Sequence, residues 1–162
     1  MMFWIELSTP NDVIYLAAQV MMNDVSLLSN NVLVRELIEG GDVHHIFPKE
    51  YLKSNGYEKS MYNQEGNFAY LDTQVNKTIG KKAPNEYFQE ARKQCETGII
   101  TIGSITNYDQ LLDNLAINCV PVEVFDMDHT SEYSGVAEPP IPVIRATPIP
   151  VARARQSGKG YH

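Results

Sequence analysis

The chain has 162 residues, enough for one modest hydrophobic core and too few for two comfortable ones. Hydrophobic residues make up 43% of it and charged residues 20%, a balance that favours a folded domain over wholesale disorder. The net charge of -7 argues against non-specific affinity of the whole chain for nucleic acid. No apolar run approaches the roughly 20 residues that cross a bilayer, and the first residues lack the basic and apolar regions of a secretory signal. We therefore expect a cytoplasmic protein without a membrane partner.

Charge is distributed unevenly and divides the chain into four segments. Residues 1–41 carry one basic and five acidic groups, and residues 42–95 carry eight basic and seven acidic groups. Residues 96–138 carry eight acidic groups and no basic one, whereas residues 139–162 carry four basic groups and no acidic one. The near-neutral segment 42–95 is therefore the expected folded segment best suited to meeting a polyanion. For any single lysine in it, a solvated surface position remains the simpler interpretation.

Two cysteines, Cys95 and Cys119, lack the CxxC spacing of a zinc knuckle. A disulfide between them is compatible with the sequence, but free buried thiols are the simpler expectation in a reducing cytoplasm. The cysteines therefore indicate no metal site.

Two packing helices are predicted in the first segment. Asn11 is a suitable N-cap for a helix that runs to Met21 and buries a face of apolar residues at helical spacing. The residues of that face are Val13, Leu16, Ala17 and Val20. A second helix is predicted over Val32–Ile38 and ends at the pair Gly40-Gly41.

The second segment begins with the pattern of a β-hairpin. A short β-rich run, Val43–Phe47, is ended by Pro48, and one helical turn is expected at Lys49–Leu52. A second strand is predicted at Phe68–Leu71, after the glycine at position 66.

Helices are predicted after the hairpin. Asp72 or Thr73 can cap a short helix over Val75–Ile79. Longer helices are expected over Pro84–Arg92, with the proline in the first turn, and over Tyr108–Leu115.

These elements together predict an α+β fold, a mainly helical domain around a hairpin that is crossed by a helix. The composition changes at Pro139, from which prolines alternate with apolar residues and arginines. This composition predicts a disordered, Pro-rich tail over residues 139–162.

Four polar residues occur in order along the predicted hairpin and helix. His44 and His45 lie on the first strand, Asn67 begins the second, and Asn76 lies inside the helix. Adjacent histidines alone are a weak signal, because a surface pair or a satisfied core histidine is the more common reason for them. A hairpin crossed by a helix, however, can bring all four side chains around one cation.

This order of residues resembles that of the HNH, or ββα-metal, nucleases. The matching positions are Asp42–Lys49, Asn63–Asn67 and Asn76-Lys77. The spacing of nine residues from Asn67 to Asn76 looks like that of the HNH domain in CRISPR effector nucleases.

The resemblance implies a role for each of the four residues. His44 and Asn76 are the implied metal ligands, and His45 is the implied general base that activates water. Asn67 is implied to orient this base, either by accepting the other ring N–H or through its backbone carbonyl. Two neutral ligands, one nitrogen and one oxygen, should bind Mg²⁺ weakly until phosphate oxygens and water complete its shell, and the imidazole also suits Mn²⁺ or another divalent ion. The expected DNA phosphate-binding residues are Lys49, Lys77, Lys81 and Lys82.

A more specific resemblance is to the C-terminal HNH domain of GmrSD-type, modification-dependent (type IV) restriction endonucleases. It is carried by His44–Lys49, Gly66-Asn67, Asn76 and Lys82–Tyr87. Such enzymes usually begin with a ParB-like, nucleotide-hydrolysing domain that has no counterpart in these residues. The resemblance therefore implies a truncated or separately encoded member, with a ParB-like subunit or domain as a partner.

The implied function is metal-dependent hydrolysis of DNA phosphodiester bonds, in restriction and anti-phage defence against foreign DNA with or without modified bases. The alternative is a catalytically inactive HNH-fold fragment that acts as a DNA- or protein-binding module. The acidic segment 96–138 favours a protein partner in that case.

Overall fold

The computed structural model describes residues 10–63 and 65–130. Helices surround one hairpin in this part of the chain, which confirms the α+β class. Its elements are α1 (Pro10–Met22), β1 (Asp42–His45), α2 (Lys49–Ser54), α3 (Lys59–Tyr62), β2 (Phe68–Leu71), α4 (Thr73–Ile79), α5 (Pro84–Thr97) and α6 (Tyr108–Ile117). None of the described helices is both long and apolar enough to cross a membrane. The predicted Pro-rich tail, residues 139–162, lies outside the described residues.

The two strands form an antiparallel pair on which α4 packs. Asp42 lies opposite Leu71, and His44 lies opposite the buried Ala69. Val43 and His45 point to the other face, because successive side chains alternate along a strand. The predicted order of strand, strand and helix is therefore present, and the helix contacts β1.

Each face of the hairpin contributes to a separate apolar cluster. The larger cluster joins Ala69 and Leu71 to α5 and α6, and its bulkiest members include Tyr87 and Phe88. The smaller cluster packs Val43 and Tyr70 against the N-terminal elements through Leu16, Val34 and Leu37. The face that carries His44 is thus the one that α5 covers.

The buried face of α1 differs from the prediction. Leu16 and Gln19 are buried, whereas Val13 is 49% exposed and Ala17 is also exposed. Tyr15 stacks on Tyr70 with ring centroids 6.5 Å apart, which turns the helix toward that aromatic contact. Packing against the hairpin, and not the apolar periodicity of α1 alone, therefore decides which face of this helix is buried.

The predicted helix over Val32–Ile38 is reduced to a short 3-10 turn, Val34–Leu37. The chain then folds back tightly, since the Gly41 N–H donates to the Leu37 carbonyl at 2.7 Å. A Cβ on Gly41 would lie 2.5 Å from the Leu37 Cβ, so this close approach requires glycine. The predicted stop at the glycine pair is present, but the helix before it is only one turn.

Cys95 and Cys119 are both free and half-buried. The expectation that the thiols are free is confirmed, but they are less buried than expected.

Candidate functional site

Helix α4 is short, and its ends are fixed by local chemistry. The Asp72 carboxylate accepts hydrogen bonds from Gln74 N at 2.8 Å and Val75 N at 3.3 Å, satisfying donors of the first turn. Gly80 ends the helix with a φ of 59°, a conformation that favours glycine. This cap was one of the two predicted, and it holds the middle of α4, with Asn76, against β1.

A chain of three polar side chains joins β1 to α4. His44 Nδ1 lies 2.8 Å from Asn76 Oδ1, and Asn76 Nδ2 donates to Asp42 Oδ2 at 3.0 Å. The carboxylate fixes the amide with its nitrogen toward Asp42 and its oxygen toward His44, because only the nitrogen can donate. The two implied metal ligands therefore lie side by side.

His44 is only 2% exposed. Burial lowers its pKa to about 4, and the hydrogen bond to Asn76 opposes this shift only in part. The ring edge also meets Tyr87, whose hydroxyl oxygen lies 3.4 Å from His44 Nε2. His44 is therefore a neutral imidazole at neutral pH, which is the form that binds metals.

His45 ends β1 and lies at the solvent boundary. Its ring packs edge-on against Phe68, its cross-strand partner, with centroids 4.9 Å apart. Its Nε2 lies 3.1 Å from Asn63 Oδ1. Burial lowers the pKa of His45, the contact with Asn63 opposes the shift, and the Lys49 ammonium adds to it.

Asn67 does not contact the His45 ring in the structure. Its Oδ1 accepts from Phe47 N at 2.7 Å, and its Nδ2 donates to the carbonyls of Phe47 and Tyr62. Its backbone carbonyl accepts from Ile46 N at 2.8 Å. Neither of the two expected routes to the imidazole is used, because both oxygens serve the main chain that follows the histidines. Asn67 acts on His45 only by fixing that backbone.

Both histidines line one shallow depression of about 180 Å³. Asn76, Gly80 and Lys49 also line it. The structure thus brings together His44, His45 and Asn76, whereas Asn67 lies buried behind them.

Only one of the four expected phosphate-binding lysines lines the depression, namely Lys49. Lys77 and Lys81 are exposed on and after α4. Lys82 forms an ion pair with Glu90, with Nζ 2.8 Å from Oε2, and lines a separate groove of about 490 Å³. Among the residues that line the depression, Lys49 is therefore the lysine, and the carboxylate of Glu50 lies beside it.

His44 and Asn76, which are hydrogen-bonded to each other here, would offer a cation one neutral nitrogen and one neutral oxygen. Adjacent ligands of an octahedral ion with bonds near 2.1 Å lie roughly 3 Å apart, close to the 2.8 Å between His44 Nδ1 and Asn76 Oδ1. Among the described residues, no three His, Cys, Asp or Glu side chains form a metal-binding group. A cation here would rely on the Asn76 amide, and its remaining ligands would be water and substrate oxygens.

Asn63 and Tyr87 contact the histidines, but the sequence analysis predicted no role for either. Both stand inside the runs that carry the resemblance, but they lie 18 and 43 residues from the histidines that they contact. Only their position in these runs signals them.

Comparison of the chain with models of protein families, with curated proteins and with solved structures found no match. The nature of this site therefore has to be inferred from its residues and their geometry.

Proposed function

We propose that the chain is a metal-dependent endonuclease of the HNH type that hydrolyses DNA phosphodiester bonds. One observation carries this proposal: His44 Nδ1 and Asn76 Oδ1 lie 2.8 Å apart in a depression that His45 also lines. This is the division of labour that the family resemblance implies, with two ligands beside one base.

Each residue has a chemical task in this proposal. His44 and Asn76 would hold the divalent ion, which would supply Lewis-acid stabilisation of the charge on the phosphate and the leaving oxygen. His45 accepts a proton from the attacking water, and its lowered pKa keeps it unprotonated at neutral pH. The exposed Lys49 lies where it can contact a phosphate of the bound strand.

The biological setting is proposed from the resemblance alone. It comprises a cytoplasmic restriction and anti-phage role, DNA substrates with or without modified bases, and a ParB-like subunit or domain as a partner. The depression is small for a base-reading pocket, so recognition of a modification would fall to such a partner.

A second candidate function is a binding module that does not cut DNA. It is favoured by four exposed carboxylates on and after α6, which repel a polyanion and suit a basic protein. The carboxylates are those of Asp109, Asp113, Glu123 and Asp126.

Nicking of supercoiled plasmid, modified and unmodified, in Mg²⁺ or Mn²⁺ separates the two functions. We expect His45→Ala to lower the nicking rate by roughly 100- to 10,000-fold, the usual contribution of a general base. The matched control is His129→Ala, which removes an exposed histidine that lies against Tyr51, and it should nick as fast as the wild type. Equal nicking by His45→Ala and the wild type would contradict the proposal, and DNA binding with no cleavage would favour the second function.

A further inference from the structure

Tyr87 on α5 carries a completely buried phenol, whose hydroxyl contacts both His44 in β1 and Ile46 just after it. Its hydroxyl donates to the Ile46 carbonyl with an oxygen–oxygen distance of 2.6 Å. Burial raises the pKa of Tyr87 well above its usual value, so the phenol keeps this proton at neutral pH. Since its one proton points at Ile46, the hydroxyl presents lone pairs to His44 Nε2, 3.4 Å away.

The other side of the His44 ring also faces an acceptor. Asn76 Oδ1 lies 2.8 Å from Nδ1, and Asp42 prevents the amide from turning its nitrogen there instead. A neutral imidazole has one proton for these two acceptors. Whichever nitrogen carries the proton, the other one faces an oxygen without a proton between them.

From this arrangement we infer that Tyr87 is a positioning residue that supplies the acceptor for a proton on His44 Nε2 and so frees Nδ1 for a cation shared with Asn76. This inference rests on the proposed function. Histidines that bind metals normally donate their other ring N–H to a fixed acceptor, which sets the tautomer and the orientation of the ring. Tyr87 meets that requirement because it is rigidly packed and its own proton is committed to Ile46.

The distances predict the balance between the tautomers. The contact at Nδ1, 2.8 Å, is closer than the one at Nε2, 3.4 Å, so without a cation both tautomers should be populated. A divalent cation at Nδ1 should then move the proton entirely to Nε2. Tyr87 lowers the cost of this change by keeping the Nε2 proton bonded.

The experiment is long-range ¹H–¹⁵N NMR of the His44 ring in the metal-free full chain at neutral pH, repeated with saturating Mg²⁺. In Tyr87→Phe, the ratio of the Nε2–H to the Nδ1–H tautomer should fall roughly fivefold, as expected for one buried neutral hydrogen bond. Binding of Mn²⁺ alone should weaken by roughly tenfold or more. The matched control is Tyr15→Phe, which removes a half-buried hydroxyl that is also bonded to a main-chain carbonyl and should change neither quantity.

A wild-type ring with its proton solely on Nδ1 in the metal-free chain, or a tautomer ratio that Tyr87→Phe leaves unchanged, would overturn the role of Tyr87. The tautomer ratio requires neither a cation nor DNA cleavage. A shifted ratio in a chain that binds no cation would support the Tyr87 contact and refute the proposed function. An unchanged tautomer ratio in a chain that cuts DNA would refute the role of Tyr87 and support the proposed function.

Discussion

Buried polar side chains serve different ends in the helical half of the molecule and in the hairpin. In the helical half, which comprises α5, α6 and the loop between them, Gln94 accepts from Thr101 N and Ile102 N and donates to the Ile105 carbonyl, so its amide is bonded mainly to the main chain. In the hairpin and in α4, which packs on it, His44 and Asn76 are bonded to other side chains. A side chain that is bonded to the main chain stabilises one loop. Two side chains that are bonded to each other can instead give up that hydrogen bond and both bind a ligand.

Asn67 belongs with Gln94 in this comparison, although it lies in the hairpin. All of its hydrogen bonds described above go to main-chain atoms, and its side chain is 1% exposed. Removing it should therefore damage stability first. Removing Asn76, which is bonded to side chains, should damage ligand binding first.

The largest expected effect on stability is that of Asn67→Ala. It leaves one main-chain N–H and two carbonyls without their partner in a buried position, at about 1–3 kcal/mol for each group that stays unsatisfied. We expect the free energy of unfolding in urea to fall by about 4 kcal/mol. The free energy of unfolding of Gln94→Ala, the counterpart in the helical half, should fall by a similar amount. A loss below about 1 kcal/mol in either variant would show that its amide does not stabilise the main chain as described.

The second effect is a dependence of stability on pH that comes from His44. Its pKa is lowered to about 4 in the folded chain from 6.5, so the unfolded chain binds more protons in the window between these values. Stability should be highest above pH 6.5 and should fall by about 3 kcal/mol as the pH drops through the window, at 1.36 kcal/mol per unit. Other groups also titrate there, so the measurement is the difference between the wild type and His44→Gln in urea denaturation across this range. Parallel curves for the two proteins would show that His44 is not held neutral by burial.

The smallest expected change in stability is that of Asn76→Ala. Asn76 is half-buried and lines the depression, so its truncation lets water reach Nδ1 of the buried His44, and the half-buried Asp42 can bond to water. We expect the free energy of unfolding to change by less than about 1 kcal/mol, as for an ordinary hydrogen bond near the surface. Thermal and urea denaturation check this, and a loss as large as that of Asn67→Ala would place Asn76 among the structural amides.

Much of the fold follows from local signals in the sequence. Phe68–Leu71 is a strand as predicted, and Asp72 is the cap of α4 as predicted, because alternation and capping act over a few residues. The predicted face of α1 and the helix over Val32–Ile38 are wrong in part, since contacts with the distant Tyr70 decide how these segments pack.

The candidate site was predictable in part for the same reason. Order and spacing brought His44, His45 and Asn76 together, because each lies on an element whose position the hairpin fixes. The tasks of Asn63 and Tyr87 depend on where loops and α5 return to the histidines, which no local pattern encodes.

The most direct test is a titration of the metal-free chain with Mn²⁺, followed by paramagnetic broadening of its NMR signals. We predict that a single Mn²⁺ broadens the signals of His44 and Asn76 first. This effect should disappear in His44→Gln and in Asn76→Ala and should persist in His45→Ala. Broadening that is absent from His44 and Asn76 in the wild type would contradict a divalent cation site between β1 and α4. Broadening of the neighbouring residues that is unchanged when His44 and Asn76 are both replaced would contradict it too.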